Sequence, residues 1–495
     1  MPPRTIIIVV LACLLAAVCS RPTQALTLSL TIGLPASAPV LQSVAIAVLN
    51  DRIITLDDID PRAREMASRL DSEIAAARNR VLEEQIDEYL FEAEGKRRRI
   101  TIERLFAVEV RQRTVDPTAE EIQSVYDANR SQFGTLDITA ARPQIVAYLR
   151  SESAQKLFAD LSARLRKRYA VVKTTDVNSP NISPAMTLAT VAGRAIIAGP
   201  ILERLKPVIY DLRLRVYEIV SAAVERTIFD LLVLAEASRL GLGPEVIIRK
   251  EITEKYHGPS EAEITKFYEE NKARIKGDLS AVRDSIVSYL SQQEQASLER
   301  ALSDKLRKVA TVRINLREPE PPVLAVSTDD DPSRGPANAP VTVVVFTDFQ
   351  CPNCALNHPM IDEVTKSYGT SVRLVMRDFP LDMHENARKA AEAANAANAQ
   401  GKFFEYADLL FKNQQALDIA SLKKYASDIG LNRAQFDAAL TSGVYEQEVN
   451  HDIVDGRQYG ILGTPTVFVN GLRVNKLSPE SLRAAIDRVI AKKGP

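Results

Sequence analysis

Val341-Thr342-Val343-Val344-Val345-Phe346-Thr347-Asp348-Phe349-Gln350-Cys351-Pro352-Asn353-Cys354 is the stretch from which the fold of this chain can be read. Val341 to Phe346 is β-branched and aromatic, which predicts a strand, and Leu356 to Tyr368 has helical spacing. Cys351 therefore falls where a strand ends and a helix begins. The free N–H groups and positive dipole end of a helix N-terminus stabilise a thiolate and lower its pKa below the ordinary thiol value. This makes Cys351 the expected nucleophile and Cys354, one turn along, the expected resolving thiol.

Downstream, Val372 to Phe379 reads as a second strand, Asn386 to Tyr459 as a long helical stretch and Val467 to Val469 as a further strand. Gly463-Thr464-Pro465-Thr466 leads into that last strand, Asn470-Gly471 turns out of it, and a helix starts near Pro479.

Strand, Cys-x-x-Cys helix, strand, helical insertion, Gly-Thr-Pro-Thr, hairpin and helix is an order that resembles the DsbA-like, thioredoxin-type family, over residues 341–492. The resemblance implies an α/β thioredoxin fold with a helical insertion and a protein thiol-disulfide oxidoreductase whose redox-active disulfide is Cys351–Cys354, with no other cofactor. It implies that Pro465 is a cis-proline beside the cysteines and that Thr464 sits in substrate contact. Pro352 and Asn353, between the cysteines, are expected to modulate their chemistry. Two departures from the family's strong oxidase are visible: Thr464 stands where that branch usually has Val, and Pro352-Asn353 lacks its His. Oxidase, isomerase and reductase directions therefore stay open. Thioredoxins also hold a buried carboxylate six residues before the first cysteine, where this chain has Val345. Asp348 is the nearest acid, with two readings: a proton acceptor, or a strand-end acid facing solvent.

A Cys-x-x-Cys is also half a zinc site, but zinc needs four ligands, and only His358, His384 and His451 in this part of the chain could add to the pair. No metal is expected. His358, one turn beyond Cys354, reads either as a neighbour of the thiols or as an ordinary surface histidine.

Before this region the sequence repeats itself. Arg52 falls on Arg194, Ile59 on Ile201, Glu83 on Glu225, Leu90 on Leu232, Pro117 on Pro259, Tyr126 on Tyr268 and Tyr148-Leu149 on Tyr289-Leu290, so 45–172 matches 187–315. Each copy opens with an extended segment and is then mainly α. Asp60-Pro61 marks a helix start, with the helix running to about Arg98, and Thr118-x-x-Glu121 and Ser260-x-x-Glu263 are capping boxes. Ile145, Leu149, Leu157, Leu161 and Leu165 predict one buried helical stripe. The run Lys96 to Arg99 reads as solvated helix-end charge rather than an anion site. The arrangement, with its opening Ala47-Val48-Leu49-Asn50-Asp51-Arg52-Ile53-Ile54-Thr55, resembles the N-terminal chaperone region of SurA and related exported foldases. That resemblance implies a surface for unfolded polypeptide, or a dimerisation region; no prolyl isomerase segment accompanies it. Turn formers mark linkers at 173–186 and 316–340, the second rich in proline and acid, including Asp329-Asp330-Asp331, and expected to be the more mobile.

The whole chain has 495 residues, 46% hydrophobic and 26% charged, which fits roughly three packed domains. Its 63 basic and 64 acidic residues leave a net charge of −1, giving no electrostatic reason to expect nucleic acid. Residues 1–25 read as a signal peptide: Arg4, an apolar run Ile6 to Val18, and Thr23-Gln24-Ala25. Cys13 and Cys19 lie in this leader, so the remaining chain carries only the Cys351/Cys354 pair and no disulfide framework. The expected protein is exported to the periplasm or cell envelope, tethered to the membrane if the leader is uncleaved. Its expected partners are unfolded or partly folded exported proteins, a redox partner, and a second copy in a homodimer. The rival reading is an envelope holdase chaperone whose thioredoxin-fold domain is mainly scaffold.

Overall fold

Val341–Thr347 is the central strand of a five-stranded sheet in the computed structural model, which describes residues 45–134, 136–272, 275 and 277–493. Residues 1–25, expected to be a signal peptide, lie outside the described residues, with Cys13 and Cys19 among them. In chain order the strands are β1 (Ala47–Leu49), β2 (Arg52–Ile54), β3 (Val171–Lys173), β4 (Thr187–Val191), β5 (Arg194–Ile197), β6 (Val312–Ile314), β7 (Ser333–Arg334), β8 (Val341–Thr347), β9 (Val372–Asp378), β10 (Thr466–Val469) and β11 (Leu472–Arg473).

The large sheet has the order β11-β10-β8-β9-β7, with β8 and β9 parallel and the other neighbours antiparallel. β8 reads as an unbroken apolar run because both its faces are covered. Val341, Val343 and Val345 point into one core with Ile361, Val364, Leu482 and Ile486, whereas Val344 and Phe346 join Phe379, Val449, Ile453 and Phe468 on the other side. The helix Pro352–Ser367 follows β8 directly, and five helices stand between β9 and β10: Ala387–Asn398, Phe403–Lys412, Ile419–Asp428, Arg433–Ser442 and Glu446–Gln458. Asn470 and Gly471 turn β10 into β11, both at positive φ, and Pro479–Lys493 closes the domain.

The segment expected to be a mobile linker is instead bound to this sheet over its second half. Leu324 N donates to Gly471 O at 2.9 Å, Ser327 N to the Tyr459 hydroxyl at 3.0 Å and Met376 N to Pro332 O at 2.9 Å, after which β7 pairs with β9. The acidic run supplies the reason. β9 places Arg377 on a face where its neighbours are apolar, with its side chain fully buried, and such a charge needs counter-charges. Its guanidinium meets Asp331 at 2.9 Å, Asp452 at 2.8 Å and Asp455 at 3.0 Å.

In the helical region the two longest helices each follow a short hairpin. β1 and β2 lead into Pro61–Arg98, and β4 and β5 into Ala198–Leu240. Asp60 Oδ1 caps the first helix by accepting from Arg62 N and Ala63 N at 2.9 and 3.2 Å, and both capping boxes, Thr118/Glu121 and Ser260/Glu263, are formed. Further helices are Ile102–Glu109, Ala119–Ala128, Ile138–Arg168, Glu261–Asn271 and Leu279–Arg307.

The packing does not follow the two sequence segments. Among the described residues, one compact unit comprises 45–74 and 210–320, the other 75–209 and 321–493. In the first, β1 pairs with β6, so the opening hairpin shares its core with Val216 to Ile252, Leu302 and Leu306. In the second, β3 pairs with β4, and Leu188, Val191 and Ile201 pack with Leu82 to Val110, Leu161 and Leu165. A two-stranded hairpin of strands only three to five residues long is not stable alone. Each takes its third strand from the other segment. The expected single stripe of Ile138–Arg168 is likewise divided: Ile145 and Leu149 pack with Ile122 and Tyr126, whereas Leu157, Leu161 and Leu165 belong to the core with Phe91 and Phe106. Among the described residues no helix is long and apolar enough to cross a membrane.

Candidate functional site

Because β8 and β9 are parallel, the loops that leave their C-terminal ends emerge at the same end of the sheet. Cys351 is the N-cap residue of Pro352–Ser367, with Pro352 at the first helical position, where no N–H donor is needed. The helix begins here for that reason. Cys354 lies one turn in, 2% exposed, and Cys351 is 5% exposed; both are free thiols.

The two sulfurs have opposite electrostatics. The Cys354 thiol hydrogen bond, the Thr464 side chain and the N–H groups of Cys354 and Asn353 outweigh burial at Cys351 and pull its pKa down to about 5. Burial first, and then the neighbouring Cys351, push Cys354 well above the ordinary thiol range, with the Thr347 hydroxyl as a modest counterweight. A thiolate at Cys351 beside a protonated Cys354 is the arrangement that lets one sulfur attack while the other waits.

Thr464 and Pro465 come from the loop before β10, and the Thr464–Pro465 peptide is cis. Cys351 Sγ lies 3.4 Å from the Thr464 carbonyl oxygen. Thr464 itself is only 8% exposed, so on this loop the side chain open to a partner is Leu462, 83% exposed. Val345 is buried in the core and is not replaced by an acid.

Asp348 is not the solvent-facing acid that one reading of it expected. It does not face solvent, being 1% exposed, and its oxygens are taken up by other donors: Oδ1 accepts from Gln350 N at 2.7 Å, and Oδ2 from Leu381 N at 2.8 Å and His384 Nδ1 at 2.6 Å. The carboxylate is thus a clamp on the loop before Cys351. Gln350 Oε1 accepts from Asn386 N at 2.8 Å, and Gln414 Nε2 donates to Phe349 O and Cys351 O at 3.0 and 2.8 Å. Sequence reasoning missed His384, Gln350 and Gln414 as parts of the site. For His384 a signal was present, since residues just after two parallel strands share one sheet edge.

His358 is largely buried rather than an ordinary surface residue, its side chain being 11% exposed. Its ring stacks on Phe411 at 4.5 Å, its Nε2 meets Asp408 at 2.8 Å, and burial lowers its pKa. Among the described residues the group able to offer three metal ligands is Glu448, His451 and Asp452, which includes neither cysteine, and Asp452 is already bound to Arg377 and to Asp378 N.

Fold and site together define a thioredoxin fold carrying a dithiol at the start of its first helix. Residues 327–488 match the thioredoxin family. The chain is 41% identical over 166 residues to a Na(+)/H(+) antiporter NhaA 3 of Salinispora tropica, covering 33% of this chain and 25% of that protein. It is 37% identical over 202 residues to a Na(+)/H(+) antiporter NhaA 1 of Mycolicibacterium vanbaalenii, covering 38% of this chain and 33% of that one. The chain thus spans about a quarter to a third of these relatives. Similar solved structures include a thioredoxin-like oxidoreductase from Silicibacter pomeroyi, with 26% identity, TM-score 0.31, and coverage of 33% of this chain and 94% of that one. Another is BdbD from Bacillus subtilis, with 22% identity, TM-score 0.30, and coverage of 32% and 93%.

Proposed function

We propose that this chain is an exported, DsbA-like protein thiol-disulfide oxidoreductase acting on folding client proteins through its Cys-Pro-Asn-Cys site. The observation that carries the reading is the pairing of a low-pKa, helix-capping Cys351 with a buried, high-pKa Cys354. The Cys351 thiolate attacks a client disulfide, forming a mixed disulfide and releasing a client thiolate that takes up a proton. Cys354 then loses its proton and attacks Cys351 Sγ, which frees the second client thiol and leaves Cys351–Cys354 oxidised. Run in reverse, the pair donates a disulfide. Pro465 and Thr464 present backbone for an extended client strand, as cis-proline loops do in the family, with Leu462 and Met383, 83% and 82% exposed, as apolar side chains flanking the two loops. Pro352 and Asn353 tune the pair. Segments 45–172 and 187–315 are a SurA-like duplication that holds the client or makes a homodimer, and the place of action is the periplasm or cell envelope.

The test is the reduction potential of the pair, from glutathione titration with alkylation of free thiols. A value near about −120 mV identifies a disulfide donor and one near about −180 mV or lower an isomerase or reductant. Thiols that do not respond to the buffer overturn the enzyme reading.

A second reading, a holdase chaperone, is favoured by one feature of the unit 45–74 with 210–320: an open cleft of about 350 Å³ whose apolar lining, Phe229, Val233, Leu234, Pro244 and Ile248, is flanked by the charged Arg226, Asp230, Glu245 and Glu299. Aggregation of an unfolded client in the presence of the full chain carrying Cys351→Ser and Cys354→Ser separates the two. Full suppression by the thiol-free protein supports the holdase; none removes it.

A further inference from the structure

His384 stands at a junction that the dithiol chemistry does not itself call for. Asp348 is almost wholly buried, and a carboxylate in that position needs several donors. Two backbone N–H groups, of Gln350 and Leu381, already serve it, and the third donor is an imidazole from the 379–386 loop rather than a neutral amide. That histidine is not deep in the core, since its side chain is 17% exposed and the adjacent Met383 is 82% exposed. The contact joins two loops at one sheet edge, and a parallel tie runs from Asn386 N to Gln350 Oε1.

What the clamp holds is the turn that delivers Cys351. Asp348 O accepts from Cys351 N at 3.1 Å while Asp348 Oδ1 accepts from Gln350 N, so one residue fixes the peptide on either side of the nucleophile's approach. The low pKa of Cys351 depends on its sulfur reaching the Cys354 thiol and the first N–H groups of the helix. If the turn relaxes, Sγ moves off those donors and its pKa climbs toward the ordinary thiol value. We infer that His384 is a positioning residue of the dithiol site: by donating Nδ1–H to the buried Asp348 carboxylate, it locks the loop that aims Cys351 at the helix N-terminus. The inference deepens the oxidoreductase reading and rests on it.

The experiment uses the full chain, reduced, and follows the rate of Cys351 alkylation against pH together with thermal melting, for the wild type, His384→Ala and His384→Asn. The asparagine keeps an N–H donor near the Nδ1 position. The expected result is a rise of about one unit in the Cys351 pKa for His384→Ala, a loss of about fivefold in thiolate at pH 5, with the asparagine variant returning to within about twofold of wild type. A wild-type pH profile for His384→Ala, whatever its melting temperature, overturns the inference by leaving His384 a merely structural contact. Should the variants not fold, ¹⁵N-histidine NMR of the wild type decides: a His384 Nδ1 resonance that shifts as Cys351 titrates supports the coupling, and one indifferent to it overturns it. Disulfide exchange by the wild type, assayed in parallel, reports separately on the oxidoreductase reading, because alkylation needs no client.

Discussion

Cys351 Sγ sits 3.4 Å from the carbonyl oxygen of Thr464, although 113 residues separate them along the chain. A carbonyl can only accept, so it favours the protonated thiol, whereas the helix N–H groups and the Cys354 thiol favour the thiolate. The donors win, and the nucleophile rests between a group that holds its proton and several that replace it.

Division of labour between the cysteines gives the first prediction. Cys351→Ser abolishes exchange, because Cys354 is buried and its thiol is held protonated. Cys354→Ser leaves attack intact but removes resolution, so mixed disulfides with client accumulate and are visible by non-reducing electrophoresis and mass spectrometry. Turnover that persists in Cys351→Ser would show that the assignment of roles is wrong.

Iodoacetamide should label Cys351 with a half-maximal rate near pH 5, and leave Cys354 unlabelled at neutral pH in the native protein. The sign carries over to stability. A thiol whose pKa falls on folding contributes fully above its unfolded pKa and loses that contribution as pH drops through about 5, so the reduced form gains from Cys351 as pH rises from 5 toward 8. Cys354, raised by burial, acts in the opposite sense once its unfolded thiol would ionise.

With Cys351 and Cys354 oxidised, so that neither thiol titrates, Glu448 and Asp378 make the thioredoxin domain more stable at pH 5 than at pH 8. Burial, then Asp452, raises Glu448 to about 7, and the same causes in the same order raise Asp378 to about 8. A carboxyl raised on folding stabilises below its unfolded pKa and loses that contribution as pH climbs through its folded value. Urea unfolding at the two pH values is the measurement, and Glu448→Gln should flatten the difference. A midpoint that rises with pH contradicts this.

Arg377→Leu removes the cation shared by Asp331, Asp452 and Asp455 and leaves carboxylates buried without a counter-charge. The expected loss is about 3–5 kcal/mol, since breaking one side of a buried pair strands the other. Hydrogen exchange at Met376, whose N–H is bonded to Pro332 O, should accelerate as the 321–334 segment detaches. An unchanged denaturation midpoint would mean that the acids relax into solvent.

Gly471→Ala should destabilise the domain by about 1–3 kcal/mol, because a side chain there is strained and clashes. Gly471 has φ +82°, and a Cβ would lie 2.1 Å from the Leu324 carbonyl oxygen. The melting temperature and exchange at the Leu324 amide, which is bonded to Gly471 O, report the effect.

What could be read from the chain was whatever is encoded locally. The β-branched, apolar run of Val341 to Thr347, the Cys-Pro junction, the capping residues Asp60, Thr118 and Ser260, and the turn at Asn470-Gly471 depend on neighbours a few residues away, so their patterns predict the strand, helix starts and hairpin that are found. Long-range choices were not legible. The parallel strands bring His384 to the sheet edge that holds Asp348, but nothing in the sequence says that the carboxylate is claimed by Leu381 and His384 rather than by water or a thiol, and nothing in Asp329-Asp330-Asp331 reveals that Arg377 waits inside the sheet.

By itself, then, the sequence determined the element types, the dithiol and its place at a helix N-terminus, since backbone propensity and side-chain periodicity are properties of short stretches. Only the tertiary structure decided which buried charge meets which partner, and that β1 pairs with β6 and β3 with β4. Those contacts join residues far apart in sequence, and the free energy that selects them comes from desolvating charges and apolar faces against surfaces that exist only once the chain has folded.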